Sequence, residues 1–126
     1  MEAKILLDTN FLLIPGEFGV DIFSELERVM DRKYRLFVLS KTLDELRNIQ
    51  AMQAGKNKKA ASIALQLIET KGLNIIEAAK PADDAIVEIA DSSYIVGTQD
   101  RQLRQRLREK GIKLLTLRSK KHLIIT

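Results

Sequence analysis

Short apolar runs alternate with longer stretches whose apolar residues recur every three or four positions. This alternation restricts the fold more than any other feature of the chain. Lys4-Ile5-Leu6-Leu7, Arg35-Leu36-Phe37-Val38-Leu39, Leu73-Asn74-Ile75-Ile76, Tyr94-Ile95-Val96-Gly97 and Lys113-Leu114-Leu115-Thr116-Leu117 read as strands. They are nearly all apolar, as strands buried on both faces of a parallel sheet are. Between them, Ile22, Phe23, Leu26, Val29 and Met30 describe one helical face, as do Leu43, Leu46 and Ile49. Ala60, Ile63, Ala64, Leu67 and Ile68 form another, stopped at Lys71-Gly72. Ala85, Ile86, Ile89 and Ala90 form the next, and Leu103 and Leu107 mark the inner side of a basic helix ending before Gly111. Pro15-Gly16 reads as a loop and Gly55 to Lys59 as a basic turn. The tail His122-Leu123-Ile124-Ile125 either pairs at a sheet edge or covers the core. The pattern predicts an α/β sandwich with a mainly parallel sheet.

The length, 126 residues, is that of one domain spanning 1-126. With 45% hydrophobic and 30% charged residues, the chain has the composition of a folded, water-soluble protein. It opens with no signal peptide and holds no apolar stretch of membrane-spanning length, so a cytoplasmic location away from membranes is expected. Cysteine is absent and the one histidine, His122, is close to the end. That excludes disulfides, thiol nucleophiles and Cys/His zinc sites, and it leaves chemistry to carboxylates, hydroxyls, Lys, Arg or a bound metal. The net charge of +4 favours a polyanionic partner.

Carboxylates recur at one architectural position. Asp8 ends the first strand, Glu45 is in the first turn of the helix after the second, Asp84 begins the helix after the third, and Asp100 follows the fourth. In a parallel sheet these junctions share one edge, where ligands bind. Each acid also has an ordinary structural use. Asp8 suits a turn, Thr42-Leu43-Asp44-Glu45 matches a capping box, and Asp83, Asp84 and Asp100 suit helix N-termini. Ser, Thr or Asn would cap as well, however, and grouped carboxylates destabilise one another unless cations neutralise them. Without Cys or His, hard divalent cations such as Mg²⁺ or Mn²⁺ are the natural complement, and with a basic protein they point to phosphodiester hydrolysis.

Leu6-Leu7-Asp8-Thr9-Asn10, Thr42-Leu43-Asp44-Glu45-Leu46, Ala82-Asp83-Asp84-Ala85-Ile86 and Tyr94-Ile95-Val96-Gly97-Thr98-Gln99-Asp100-Arg101 together resemble the PIN-domain ribonucleases. The similarity covers nearly the whole chain in order and spacing. It implies a three-layer sandwich around a parallel five-stranded sheet, with Mg²⁺ or Mn²⁺ held by acids and RNA, single-stranded or looped, as substrate. Carried over by position, Asp8, Glu45, Asp84 and Asp100 are the catalytic, metal-binding acids. Thr9, Asn10, Thr98 and Asp83 are supporting polar residues. Asp84 fits better than Asp83 because Ala85-Ile86-Val87 matches the family's helix start. The resemblance extends to two branches, ribosomal-RNA processing and VapC-type toxins of toxin–antitoxin pairs. These imply ribosome-assembly factors or an antitoxin as partners, and a homodimer.

Arg101, Arg104 and Arg108 share one helical face beginning beside Asp100, Lys56, Lys58 and Lys59 form a second basic cluster, and Arg118, Lys120 and Lys121 a third. Each is either a solvated surface or a grip on RNA phosphates; the first two are the RNA-binding candidates. Six aromatic residues are too few for extensive base stacking. Other functional classes fit less well. A receiver-type signalling domain needs an Asp ending the third strand, where Ile75-Ile76-Glu77 has none. A dehalogenase-type phosphatase needs Asp-x-Asp where Asp8-Thr9-Asn10 stands. A third alternative is a catalytically weak RNA-binding module with the same fold.

Overall fold

The computed structural model describes residues 2–126. Strands β1 (Ala3–Leu7), β2 (Tyr34–Leu39), β3 (Asn74–Ile76), β4 (Tyr94–Gly97), β5 (Lys113–Arg118) and β6 (His122–Ile125) form one sheet, ordered β3-β2-β1-β4-β5-β6. The first five run parallel, and β6 pairs antiparallel with β5. The sheet therefore has one strand more than the five expected. The last two strands are joined by a tight turn with left-handed backbone at Ser119 and Lys120, both at φ 54°. Such turns normally carry Gly or Asn, so Ser-Lys gave no hairpin signal.

Successive strand residues face opposite sides. Ile5 and Leu7 enter one core with Val38, Ile95 and Leu115, whereas Leu6 enters the other with Leu39, Val96 and Leu114. Helices α6 (Ala82–Ile89) and α7 (Arg101–Glu109) cover the second core through Ala85, Ile86, Leu103 and Leu107. Helices α1 (Thr9–Leu12), α2 (Ile14–Phe18), α3 (Ile22–Val29), α4 (Ser40–Met52) and α5 (Gly55–Thr70) supply the first, the larger one. No helix among the described residues is long and apolar enough to cross a membrane.

Two stretches read as irregular are helical. Pro15 occupies the first turn of α2, where its missing N–H is not needed. Gly16 lets α2 meet α5, since a Cβ there would lie 2.5 Å from the Ala60 Cα. Lys56, Lys58 and Lys59 belong to the start of α5, and the actual connection from α4 is only Gln53-Ala54.

Strand order reverses beside β1. The chain proceeds from β1 outward through β2 to β3, then crosses back to β4 on the other side of β1. The crevice between the ends of β1 and β4 is thus the topological switch point, where the connections diverge and leave the carboxyl ends of both strands open.

Candidate active site

Asp8 stands directly at that crevice. It is the N-cap of α1: its Oδ1 accepts from the Thr9 N–H at 2.8 Å, and its Oδ2 accepts from the Thr98 hydroxyl at 2.9 Å. Only 8% of the residue is exposed. Burial pushes its carboxyl above the usual range, the two hydrogen bonds pull it back, and the charges of Asp100 and Asp83 push it up further.

Asp100 is the N-cap of α7 and accepts from the Leu103 N–H at 3.0 Å. Thr98, fully buried, joins the two acids, because its Oγ1 also accepts from the Asp100 N–H at 3.1 Å. Asn10 holds the same loop: its Oδ1 accepts from the Gln99 N–H at 2.8 Å and lies 3.3 Å from the Thr98 hydroxyl. Capping and convergence are therefore satisfied together at Asp8 and Asp100. One oxygen of each carboxylate secures a helix start while the group faces the crevice.

The opposite wall comes from α4 and α6. Glu45 leans in from the water-exposed side of α4. Crowding by the cleft walls and then the charge of Asp8 raise its carboxyl, the neighbouring Thr9 hydroxyl lowers it in part, and Asp83 adds to the rise. The capping box does not form. Helix α4 begins at Ser40 with no side-chain cap, and Thr42 is buried with its Oγ1 accepting from the Thr9 hydroxyl at 3.3 Å.

On α6 the structure separates two adjacent acids. Asp83 lines the cleft, with its Oδ1 accepting from the Asp84 N–H at 3.0 Å. Asp84, favoured by the sequence reading, is not among the lining residues, and Arg106 Nη2 donates to its Oδ1 at 3.0 Å. Consecutive helical residues point about 100° apart, so only one of the pair can face the sheet edge. Arg106 also approaches Asp83, at 3.7 Å.

Asp8, Glu45, Asp83 and Asp100 thus line one open cleft of about 500 Å³ with Thr9, Asn10, Leu13, Lys41, Pro81 and Ala82. Lys41 is a lining residue that the sequence reading did not single out. Its signal was a cation in the first turn of a helix, where the dipole favours an acid. The predicted RNA-binding cations are outside this lining. Arg101 is exposed at the start of α7, Arg104 is half-buried, and Arg108 reaches the Thr126 hydroxyl at 3.4 Å. Lys56, Lys58 and Lys59 are exposed on α5.

The donor set suits a hard divalent cation: it is all oxygen, and the neighbouring acids help raise the proton affinity of Asp8 and Glu45. Among the described residues, no three acids close on one point tightly enough to form a finished metal cage.

Comparison with known proteins gives a consistent result. The model of a family described as PIN like domain matches residues 5–120. A ribonuclease of Methanocaldococcus jannaschii, VapC4, is 30% identical over 122 residues, which are 94% of this chain and 93% of that protein. Ribonuclease VapC9 of Archaeoglobus fulgidus is 24% identical, over 95% of this chain and 87% of its own length. Among solved structures, the PIN domain endonuclease Utp24 superposes with a TM-score of 0.76 at 24% identity, covering 95% of this chain and 90% of that one.

Proposed function

The chain belongs to the PIN-like domain family, and we propose that it is a divalent-metal-dependent endoribonuclease whose site is the cleft at the β1–β4 switch point. One observation carries the reading: Asp8, Glu45, Asp83 and Asp100, brought from four separate stretches of the sequence, line a single cleft in a basic protein. Likeness over nearly full length to a ribonuclease supports RNA as the substrate.

Asp8 and Asp100 are the principal metal-binding acids, with Glu45 and Asp83 completing the set from the facing wall and Asp84 outside it. Mg²⁺ or Mn²⁺ is the fitting ion, and when bound it polarises the phosphoryl oxygen and acidifies a water for attack. The chain's own part is to hold the carboxylates. Thr98 donates to Asp8 and accepts from the Asp100 amide, so the two acids keep a fixed mutual orientation. Thr9 contributes its amide to Asp8 and its hydroxyl to the Thr42–Glu45 side, while Asn10 fixes the loop that carries Asp100. Burial and the neighbouring acids raise the proton affinity of Asp8 and Glu45 in the metal-free chain, a repulsion that a bound divalent cation would relieve.

Incubation of labelled single-stranded RNA with Mg²⁺, with Mn²⁺ and with chelator tests the activity. Metal-dependent internal cutting that is lost in Asp8→Asn supports it; equal cutting by that variant rejects the site. Both similar ribonucleases carry the VapC name, which favours the toxin branch over ribosomal-RNA processing. Induced expression should then arrest growth with the native chain and not with Asp8→Asn. Accumulation of unprocessed ribosomal RNA on depletion would favour the other branch.

A further inference from the structure

We infer that Lys41 is a substrate-binding residue that grips an RNA phosphate next to the bond being cut; this rests on the nuclease reading. Lys41 is the only cation lining the cleft among the described residues, opposite four acids. Its ammonium makes no ion pair and no hydrogen bond among the described residues, although the side chain is half-buried.

The ordinary explanations for such a lysine do not hold at this position. Its natural helical partner is Glu45, four residues on, but Lys before Glu is the weaker order and the pair is not formed. The charges that move Glu45 most are those of Asp8 and Asp83. A cation in the first turn of α4 also opposes the helix dipole, so the position costs the fold a little stability and returns no ion pair or hydrogen bond among the described residues. A lysine beside metal ligands further repels the metal. A negative group that enters the cleft from outside accounts for all of this, and in a nuclease that group is the phosphate backbone, for which an ammonium on a flexible stem is well suited.

The experiment compares the native chain with Lys41→Met, Lys41→Arg and a control, Lys33→Met. Lys33 is exposed just before β2, at the opposite end of the sheet. Affinity for a short fluorescein-labelled RNA is measured in chelator over a range of salt, and kcat and KM are then measured with Mn²⁺. For Lys41→Met, the slope of log affinity against log salt should fall by about 0.7, the value of one lost single-strand phosphate contact. Its kcat/KM should fall about ten- to hundredfold, chiefly through KM, as expected for a lost hydrogen bond to a charged group. Lys41→Arg should retain most of both, and Lys33→Met should match the native chain.

An unchanged salt slope with kcat/KM within about twofold of native overturns the inference. So does tighter Mn²⁺ binding by calorimetry with RNA binding unaltered, since Lys41 would then only balance the acids. If the native chain cuts no RNA, the nuclease reading fails, while the salt slopes still decide for or against Lys41.

Discussion

The two walls of the cleft are built differently. On the β1–β4 side, Asp8 and Asp100 are strand-end residues locked by helix caps and by the shared Thr98 hydroxyl. On the α4–α6 side, Glu45 and Asp83 project from helix surfaces; they are exposed, as Asp100 is, and Asp8 alone of the four is buried. Asp83 accepts from the Asp84 N–H within its own helix, and the one side chain that approaches it among the described residues is Arg106, at 3.7 Å. The first wall is held by more hydrogen bonds than the second. In the proposed site the first wall would set the position of the ion and the second would complete its charge balance.

That contrast orders the expected effects. Asp8→Asn should lower RNA cleavage by at least a thousandfold, roughly 4 kcal/mol in the barrier. The same variant should melt higher than the native chain in chelator, because it removes a buried charge that its neighbours repel. Thr98→Val should cost about ten- to hundredfold in activity, in the range seen when a residue supporting metal ligands is removed. A loss from Thr98→Val no greater than from an exposed serine substitution would mean that the first wall is not held by this hydroxyl.

On the second wall, Asp83→Asn should lower activity about tenfold and Asp84→Asn less than about twofold, as separate kinetic assays would show. The reverse order would restore Asp84 to the site and put Arg106 in a different role.

The smallest effect is in pH. Asp8 and Glu45 have raised folded-state proton affinity, so each destabilises the metal-free chain once ionised, and the penalty is relieved as the pH falls toward the unfolded values, 3.8 and 4.5. Glu25 works the other way. It accepts from Arg28 and from the Leu123 N–H and is lowered from 4.5 to about 2, so its contribution is present above 4.5 and is lost as the pH falls toward 2. Melting temperature in chelator should therefore rise modestly from neutral pH to about 4.5 and decline below it. Asp8→Asn should flatten the rise, and Glu25→Gln the decline.

What could be read from the sequence follows the same division. Asp8 and Asp100 were legible because a strand end in a parallel sheet has only one place to be, and the apolar runs before them set the register. Thr98 and Asn10 were named only through the resemblance to the PIN-domain ribonucleases. The choice between Asp83 and Asp84 was not legible, because a one-residue shift along α6 rotates the side chain by about 100° and both residues precede the same apolar stripe. Thr42-x-x-Glu45 carried a genuine capping pattern, yet burial of Thr42 against Thr9 took the hydroxyl for tertiary contact. Strand β6 was hidden by a Ser-Lys turn in left-handed backbone, and α2 by a proline that normally marks a break.

The double duty of Asp8 and Asp100 as helix caps has a consequence for descent. Asparagine caps a helix about as well as aspartate, so exchanging one for the other leaves both helix starts in place while stripping a charge from the proposed metal-holding set. Silencing such a nuclease thus requires a single codon change with little structural damage. A scaffold of this type can shed its cutting and persist, intact, as a protein that merely holds RNA.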